Sequence, residues 1–427
     1  MLRQNALTIF QACVAAANPY DAVKKHFVLD KNYSNIHVIA FGKAACAMSK
    51  AAQDIIPPDI LGNAIAVTNY ENVTVVNNIE VIGASHPLPD EAGFHATERI
   101  ATIAKQAQIG ELVLVLISGG GSALIPYPVD SITLDEKIAT TNLLLSCGAT
   151  INEVNCVRKH LSQLKGGWLA KLIAPADCHA LILSDVLGDD LSVIASGTTV
   201  PDESTFSEAI AILKTKHVWN DAPQSVRTHL EQGERGIIPE TPKTHDPIFS
   251  HTSHALIGSN AMSVDAMTTI SQSLGYETIR YAYPLCGEAR DVAEQFVLAA
   301  KSYPLENKKI AFITGGETTV TLRGKGRGGR NQEMALAFAL AAEKHGLNGR
   351  WVFLSGGTDG IDGVSPAAGG IVDASTLQRM RKSGENPLAL LENNDSYTAL
   401  KSANDLLMTG ATGTNVADLQ ILLIEII

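Results

Sequence analysis

The densest concentration of charge in the chain is Arg323-Gly324-Lys325-Gly326-Arg327-Gly328-Gly329-Arg330, four cations among four glycines. It stands just ahead of a helix-forming stretch, Gln332 to Lys344, in a protein whose formal net charge is −11. A backbone thinned by glycine lets cationic side chains close over an anion, and the following helix N-terminus adds partial positive charge. The ligand such a loop suits is a polyphosphate or a carboxylate. Four apolar runs also end in glycine beside a polar group. Lys43 follows Gly42, and Leu112 to Ile117 empties into Ser118-Gly119-Gly120-Gly121-Ser122. Glu317 follows Gly315-Gly316, and Asp359 lies in Ser355-Gly356-Gly357-Thr358-Asp359-Gly360. Successive amides in such turns form a concavity for an anion, so the four together read as walls of one anion-binding cleft.

The chemistry these residue types suit is phosphoryl transfer. It needs cations on the migrating group, a metal held by carboxylates, and alignment of the attacking oxygen. Lys43 and Arg330 are candidates to neutralise phosphate or a substrate carboxylate. Asp185, Asp189, Glu317 and Asp359 are candidates to ligate magnesium or to accept the hydroxyl proton. Other chemistries fit less well. Gly324, Gly326 and Gly329 formally match the dinucleotide fingerprint G-x-G-x-x-G, but cations occupy the turn and the expected acidic residue falls on the helix, at Glu343. The phosphate loop G-x-x-x-x-G-K-[ST] and the metal signature H-E-x-x-H are both absent.

The elements that must position these groups alternate between strand and helix. Leu2 to Ala17 reads as an amphipathic helix, ended by Asn18-Pro19. Strands are expected at 36–41, 64–68, 80–84, 112–117 and 180–183. Helices are expected through Ala52, near 92–107, from Thr133 (a capping box with Glu136) to Ser146, and from an Asn152 cap towards Ile173. That last helix carries Arg158, Lys159, His160 and Lys165, a basic face of the kind usually solvated. The prolines of Ser85-His86-Pro87-Leu88-Pro89-Asp90 fix a loop that can present polar groups rigidly. This half reads as a doubly wound, Rossmann-like parallel-sheet domain.

At 427 residues the chain is long for one core, so two domains are expected, 1–235 and 236–427. The polar stretch from Glu231 to about 250 is the expected linker, and Ala255-Leu256-Ile257-Gly258 the start of the second domain. That domain is expected to hold helices near 261–274, 288–301 and 332–344 and a strand at 310–313. A hairpin at Thr318 to Leu322 would give a mixed sheet, and Leu419 to Ile427 forms a terminal strand.

An acidic chain with 5% aromatic residues argues against nucleic-acid partners, and no apolar run reaches membrane-spanning length. Six scattered cysteines without C-x-x-C spacing, and the lack of a signal peptide, point to the cytoplasm.

Taken in order, the motifs are specific. They include Phe41-Gly42-Lys43-Ala44, Ser85-His86-Pro87-Leu88-Pro89-Asp90, Ser118-Gly119-Gly120-Gly121-Ser122-Ala123, Arg158-Lys159-His160-Leu161-Ser162 and Ser184-Asp185-Val186 through Asp190-Leu191. Gly315 to Val320, Gly324 to Glu333, Gly357-Thr358-Asp359-Gly360 and Thr412-Gly413-Thr414-Asn415 follow. With these the chain resembles, nearly end to end, the glycerate 2-kinase family, the second class of glycerate kinases, also labelled hydroxypyruvate reductase. The resemblance implies two α/β domains with the active site in a cleft between them. It implies magnesium-dependent transfer of the ATP γ-phosphoryl group to the 2-hydroxyl of D-glycerate, giving 2-phosphoglycerate and ADP. Family catalytic residues map onto Lys43, Arg330, Asp359 and Asn415. The turn Ser118, Gly119, Gly120, Gly121 and Ser122 would hold nucleotide phosphates. Asp185, Asp189 and Glu317 are secondary nucleotide or metal contacts, and the metal ligand remains open among Asp185, Asp189 and Asp359. The partner implied is a small hydroxy acid; the oligomeric state, a homo-oligomer included, is left open. The competing reading is an NAD(P)H-dependent hydroxypyruvate reductase, which the poor dinucleotide context opposes. Two positions depart from the family pattern: Thr198 stands where proline is usual, and Val364-Ser365-Pro366 replaces Pro-Thr-Asp.

Overall fold

The structure, a computed structural model, describes residues 1–29, 31–303 and 308–425. It divides into two units, residues 19–257 and residues 1–18 with 258–427.

The first unit is built on a parallel sheet. Its strands are β1 (Ile36–Phe41), β2 (Leu61–Asn69), β3 (Glu80–Ala84), β4 (Leu112–Ile117), β5 (Asp177–Leu183) and β6 (Thr252–Gly258). They lie in the order β3-β2-β1-β4-β5-β6, and the first five run parallel. Every residue of β1 and β4 is buried, as an unalternating apolar run requires at the centre of a parallel sheet. Ile39, Phe41, Val113, Val115 and Ile117 join one core with Ile100 and Ile182. The strand order reverses between β1 and β4, whose ends are in register at Phe41 and Ile117. Loops diverge at such a point, and α/β sheets open a crevice there, at the carboxyl ends of the strands.

The second unit is built on a mixed sheet. Its strands are β7 (Glu277–Arg280), β8 (Leu285–Glu288), β9 (Lys309–Thr319), β10 (Arg350–Gly357), β11 (Gly369–Asp373), β12 (Leu406–Leu407) and β13 (Asp418–Glu425). The order is β12-β11-β10-β13-β9-β7, with β8 also pairing β9. β13 lies antiparallel between β9 and β10, while β7 and β8 run parallel to β9. One face packs aromatic side chains, Phe338 stacking on Phe353 with ring centroids 4.0 Å apart. The other face is covered by the first helix, Leu2–Ala16, whose Ile9 and Phe10 are buried with Leu354, Leu419 and Ile421.

Several expectations change. The N-terminal helix belongs with the second unit, because its apolar stripe is buried on the mixed sheet. The boundary falls at 257/258 and not at 235. The strand containing Ala255 to Gly258 is the edge of the parallel sheet, not the opening of the second unit. The expected linker is also ordered: Glu231 lies in a helix, Gln224–Glu234, and Glu240 accepts from the Phe206 amide at 2.8 Å. Thr241 donates to Asp202 at 3.0 Å. The hairpin at 318–322 is absent. Strand β9 runs unbroken through Gly315, Gly316 and Glu317 to Thr319, and the sheet is mixed because β13 inserts antiparallel. The helix from 152 to 173 is two helices, Ile151–His160 and Trp168–Ile173. Thr150 is the cap, and Gly166 and Gly167 at φ +59° and +84° interrupt the run. The last two residues of the expected terminal strand lie outside the described residues.

Candidate active site

In the parallel-sheet unit the ends of β1 and β4 interlock. The Lys43 amide donates to the Gly119 carbonyl at 2.8 Å, and the Ala44 amide to Ser118 Oγ at 3.0 Å. Gly42 takes φ +116°, and a Cβ there would lie 2.3 Å from Ser118 Oγ, so only glycine permits this approach. Gly120 takes φ +82° and turns the chain into a single helical turn, Gly121–Leu124. The amides of Gly119 and Gly120 donate to no backbone carbonyl among the described residues. Successive amides turned away from backbone acceptors are the arrangement an anion cradle uses.

Side chains gather around this turn. A Cβ on Gly120 would lie 3.0 Å from the His86 ring and 3.4 Å from Lys43 Cγ; one on Gly119 would lie 2.2 Å from Asp185 Oδ2. Ser122 Oγ is 2.7 Å from Ser196 Oγ, which donates to Asn155 at 3.0 Å. Burial, with the Lys43 charge adding, lowers the His86 pKa from its ordinary 6.5 and so favours the neutral ring. Lys43, the 118–122 turn and Asp185 are therefore brought together at the switch point. Asp189 follows on the next turn, at φ +55°.

The mixed-sheet unit assembles a second group. Arg330 grips Asp418 with a two-pronged fork, Nε to Oδ2 at 2.6 Å and Nη2 to Oδ1 at 3.0 Å. Its Nη1 donates to Glu317 Oε1 at 2.6 Å. Burial works against the guanidinium charge, but these carboxylates outweigh it and hold the pKa above its usual value. A Cβ on Gly357 would meet Asp359 Oδ1 at 3.2 Å and Asp418 Oδ1 at 3.5 Å, which sets Asp359 beside the same cluster. Asp359 Oδ1 accepts from the Ile361 amide, and Asn415 Oδ1 from the Ala417 amide. Thr412 ties the Asn415 loop to Asp359 through its amide and to Thr358 through its hydroxyl, at 3.3 and 2.5 Å. Arg330, Glu317 and Asp418 thus form one cluster with Asp359 beside it, and Thr412 ties the Asn415 loop to Asp359.

The cationic loop behaves differently from the sequence reading. Its glycines serve close packing: a Cβ at Gly324, Gly326, Gly328 or Gly329 would lie within 2.4 Å of Asn393, Asp395, Ser396 or Asp362. Arg327 stacks 4.4 Å over the Tyr397 ring, and Arg323 and Lys325 point to solvent. Only Arg330 of the four cations joins the carboxylate cluster. The helix that follows, Arg330–His345, is not an open anion site, because Asp362 accepts from the Asn331 and Gln332 amides at 3.1 and 2.8 Å. Burial raises the Asp362 pKa to about 6; the helix amides pull it back and Asp418 pushes it further up.

Sequence reasoning missed Asp418, which begins an apolar strand and carries no glycine beside it. It quoted His86 without assigning it a part. Thr198 is buried, its carbonyl accepting from the Leu169 amide at 3.1 Å and its hydroxyl without a partner among the described residues. Those described residues hold no group of three or more His, Cys, Asp or Glu arranged to bind a metal.

Comparison with known proteins agrees along the whole chain. Residues 5–231 match a family described as a domain of unknown function, DUF4147, and residues 310–418 match the MOFRL family. The chain is 40% identical to a glycerate 2-kinase of Pyrococcus horikoshii, covering 99% of this chain and 97% of that protein. It is 41% identical to a D-glycerate 2-kinase of Thermotoga maritima, over 99% and 98%. A crystal structure of glycerate kinase from Thermotoga maritima superposes with a TM-score of 0.89 at 39% identity, covering 99% of each chain. These matches define the class, a phosphotransferase with two α/β domains. Within that class, the chain belongs to the glycerate 2-kinase family.

Proposed function

We propose that the protein transfers the γ-phosphoryl group of ATP to the 2-hydroxyl of D-glycerate, giving 2-phosphoglycerate and ADP. The observation that carries this reading is 40–41% identity, over nearly the full length of each chain, to proteins named glycerate 2-kinase and D-glycerate 2-kinase. The geometry within each unit supports it.

In the parallel-sheet unit, the amides of Gly119 and Gly120 and the Lys43 ammonium would offer positive ends to nucleotide phosphates, with Ser118 and Ser122 framing the turn. A phosphoryl group in flight carries charge on its equatorial oxygens, and Lys43 would bind that charge more tightly in the transition state than before it. In the mixed-sheet unit, Arg330 is held rigid by Asp418 and Glu317, so its remaining donor edge is already oriented for a phosphoryl or carboxylate oxygen. Asp359 would align the 2-hydroxyl and accept its proton, and Asn415 would position the acid.

Magnesium fits this donor set in one way. Glu317 and Asp418 are engaged by Arg330, and no three-carboxylate cage exists among the described residues. Magnesium needs only one or two carboxylates when phosphates supply other ligands. Asp185 lies beside the phosphate turn, where an acidic group repels an anion unless a cation stands between them; the candidates to hold it are Asp185 or Asp189 in this unit, or Asp359 in the other. When bound, it would neutralise charge on the β- and γ-phosphates.

Replacing Lys43 or Arg330 by alanine tests the assignment. ADP release with D-glycerate should fall by about a hundredfold or more, the usual cost of losing one transition-state charge partner. Unchanged turnover in a folded variant would refute it.

A further inference from the structure

Apart from His86, the proline-fixed loop at 85–90 takes no part in the proposed transfer, and neither does the basic helix carrying Arg158. In the parallel-sheet unit they line the same cavity of about 200 Å³. Its wall is largely apolar, Pro87, Leu88 and Pro89 included, and Ser122, Lys137 and Arg158 supply its polar part with Thr141 and Asn142. Lys165 stands immediately behind, bonded to the same carbonyl as Arg158.

The cations of this wall are unusual in their partners. Lys137 is 5% exposed and Lys165 fully buried. Lys137 Nζ donates to the Leu161 carbonyl at 3.1 Å. Lys165 Nζ donates to the Ser122 carbonyl at 2.9 Å and lies 3.5 Å from that of Ile125. Arg158 Nη2 reaches the Ser122 carbonyl at 3.2 Å. No carboxylate among the described residues forms an ion pair with any of the three. The neighbours on the same helix show the ordinary arrangement, Lys159 pairing with Asp202 at 3.2 Å and His160 with Glu240 at 3.1 Å. Carbonyl oxygens at helix ends supply partial negative charge, not a whole counter-ion. Burial, and next the Arg158 charge, push the pKa of both Lys137 and Lys165 well down. Native interiors seldom leave such groups together without an anion.

We propose that Arg158 and Lys137, backed by Lys165, form a subsite for the anionic end of a small acid, a carboxylate or a phosphate monoester. A cavity of this size takes one such group and not a whole nucleotide, since pockets for larger ligands run from about 300 Å³ upward. Ser122 joins the subsite to the phosphate turn, because its carbonyl anchors two of the cations while its hydroxyl meets Ser196. The choice of a small acid rests on the kinase reading; the existence of an oxyanion site does not.

The test is thermal melting of the full chain with D-glycerate, inorganic phosphate or ATP, in the wild type and in Lys137→Met and Arg158→Gln. A ligand that binds only the folded state raises the melting temperature. The wild type should be stabilised by millimolar D-glycerate, phosphate or both, and each variant should lose that response. A carboxylate occupant answers to D-glycerate alone, a phosphate monoester to inorganic phosphate as well. Without ligand, Lys137→Met should melt no lower than the wild type, since a buried amine held at a desolvation cost is replaced by an apolar chain of similar length. In turnover assays KM for D-glycerate should rise at least tenfold, with a smaller change in kcat. Variants that melt lower and keep the ligand response would make these cations structural caps and overturn the proposal. So would a lost response confined to ATP. Absence of kinase product from the wild type would refute the kinase reading alone, because the melting response needs no turnover.

Discussion

The two units handle buried cations in opposite ways. In the mixed-sheet unit, Arg330 is gripped by Asp418, itself 1% exposed, and again by Glu317. In the parallel-sheet unit, Lys137, Lys165 and Arg158 meet only carbonyl oxygens among the described residues. A cation matched by protein carboxylates is fixed in place before any ligand arrives. A cation left unmatched awaits charge from elsewhere. The first arrangement contributes stability and orientation, whereas the second costs stability in exchange for affinity, as functional sites often do.

The largest effect expected from breaking this contrast is at Asp418. Asp418→Ala removes the fork and leaves a partly buried guanidinium with one exposed partner, which should cost about 3–5 kcal/mol. Denaturant unfolding measures it; a loss as small as that of a surface substitution would show the fork to be incidental. A smaller effect is expected at Gly119, where alanine would drive a Cβ against the Asp185 carboxylate. Overpacking of this kind costs about 1–3 kcal/mol. Its clearer signature is a rise in KM for ATP, and an unaltered KM would remove the turn from nucleotide binding.

The smallest effect sharpens the contrast within one helix. His160 has the Cys156 carbonyl 2.8 Å from Nδ1 and the Glu240 carboxylate 3.1 Å from Nε2, so both nitrogens must carry protons. Burial alone would lower its pKa, but the Cys156 and Glu240 hydrogen bonds raise it from 6.5 to about 9. Burial opposes the Glu240 charge too, yet His160 and the Phe206 amide lower that carboxyl from 4.5 to about 2. A raised histidine contributes fully below its unfolded value and loses its contribution as pH rises through about 9. A lowered carboxylate contributes above its unfolded value and loses it as pH falls through about 2. Glu240→Gln should therefore lower the melting temperature by a few degrees, most between pH 4.5 and 6.5, with the gap closing above about pH 9. A gap independent of pH would mean that the pair is not ionic. Glu240 is a third exposed, so solvent screening keeps the effect modest.

These contrasts also explain what the sequence could disclose. The buried runs at 36–41 and 112–117 announced central parallel strands, because six apolar residues without alternation have few other uses. The capping box at Thr133 and Glu136 was equally legible, since both partners lie within four residues. Pairings across long separations were not. Asp418 joins Arg330 from 88 positions away, and Asp362 caps the following helix from 30 away. The same limit turned the basic helix face into an expected solvated one. Lys159 and His160 find their acids at 202 and 240, and Arg158 finds none among the described residues. The glycines of 324–329 were read as freedom for a ligand, but neighbouring backbone fills that space. Local patterns fix elements, and charge compensation is a tertiary property.

The most direct measurement is the identity of the product formed from D-glycerate and magnesium-ATP, read by phosphorus and carbon NMR of the quenched reaction. The account predicts 2-phosphoglycerate in a one-to-one ratio with ADP. Formation of the 3-phosphate, or nicotinamide oxidation with hydroxypyruvate and no ADP release, would contradict it.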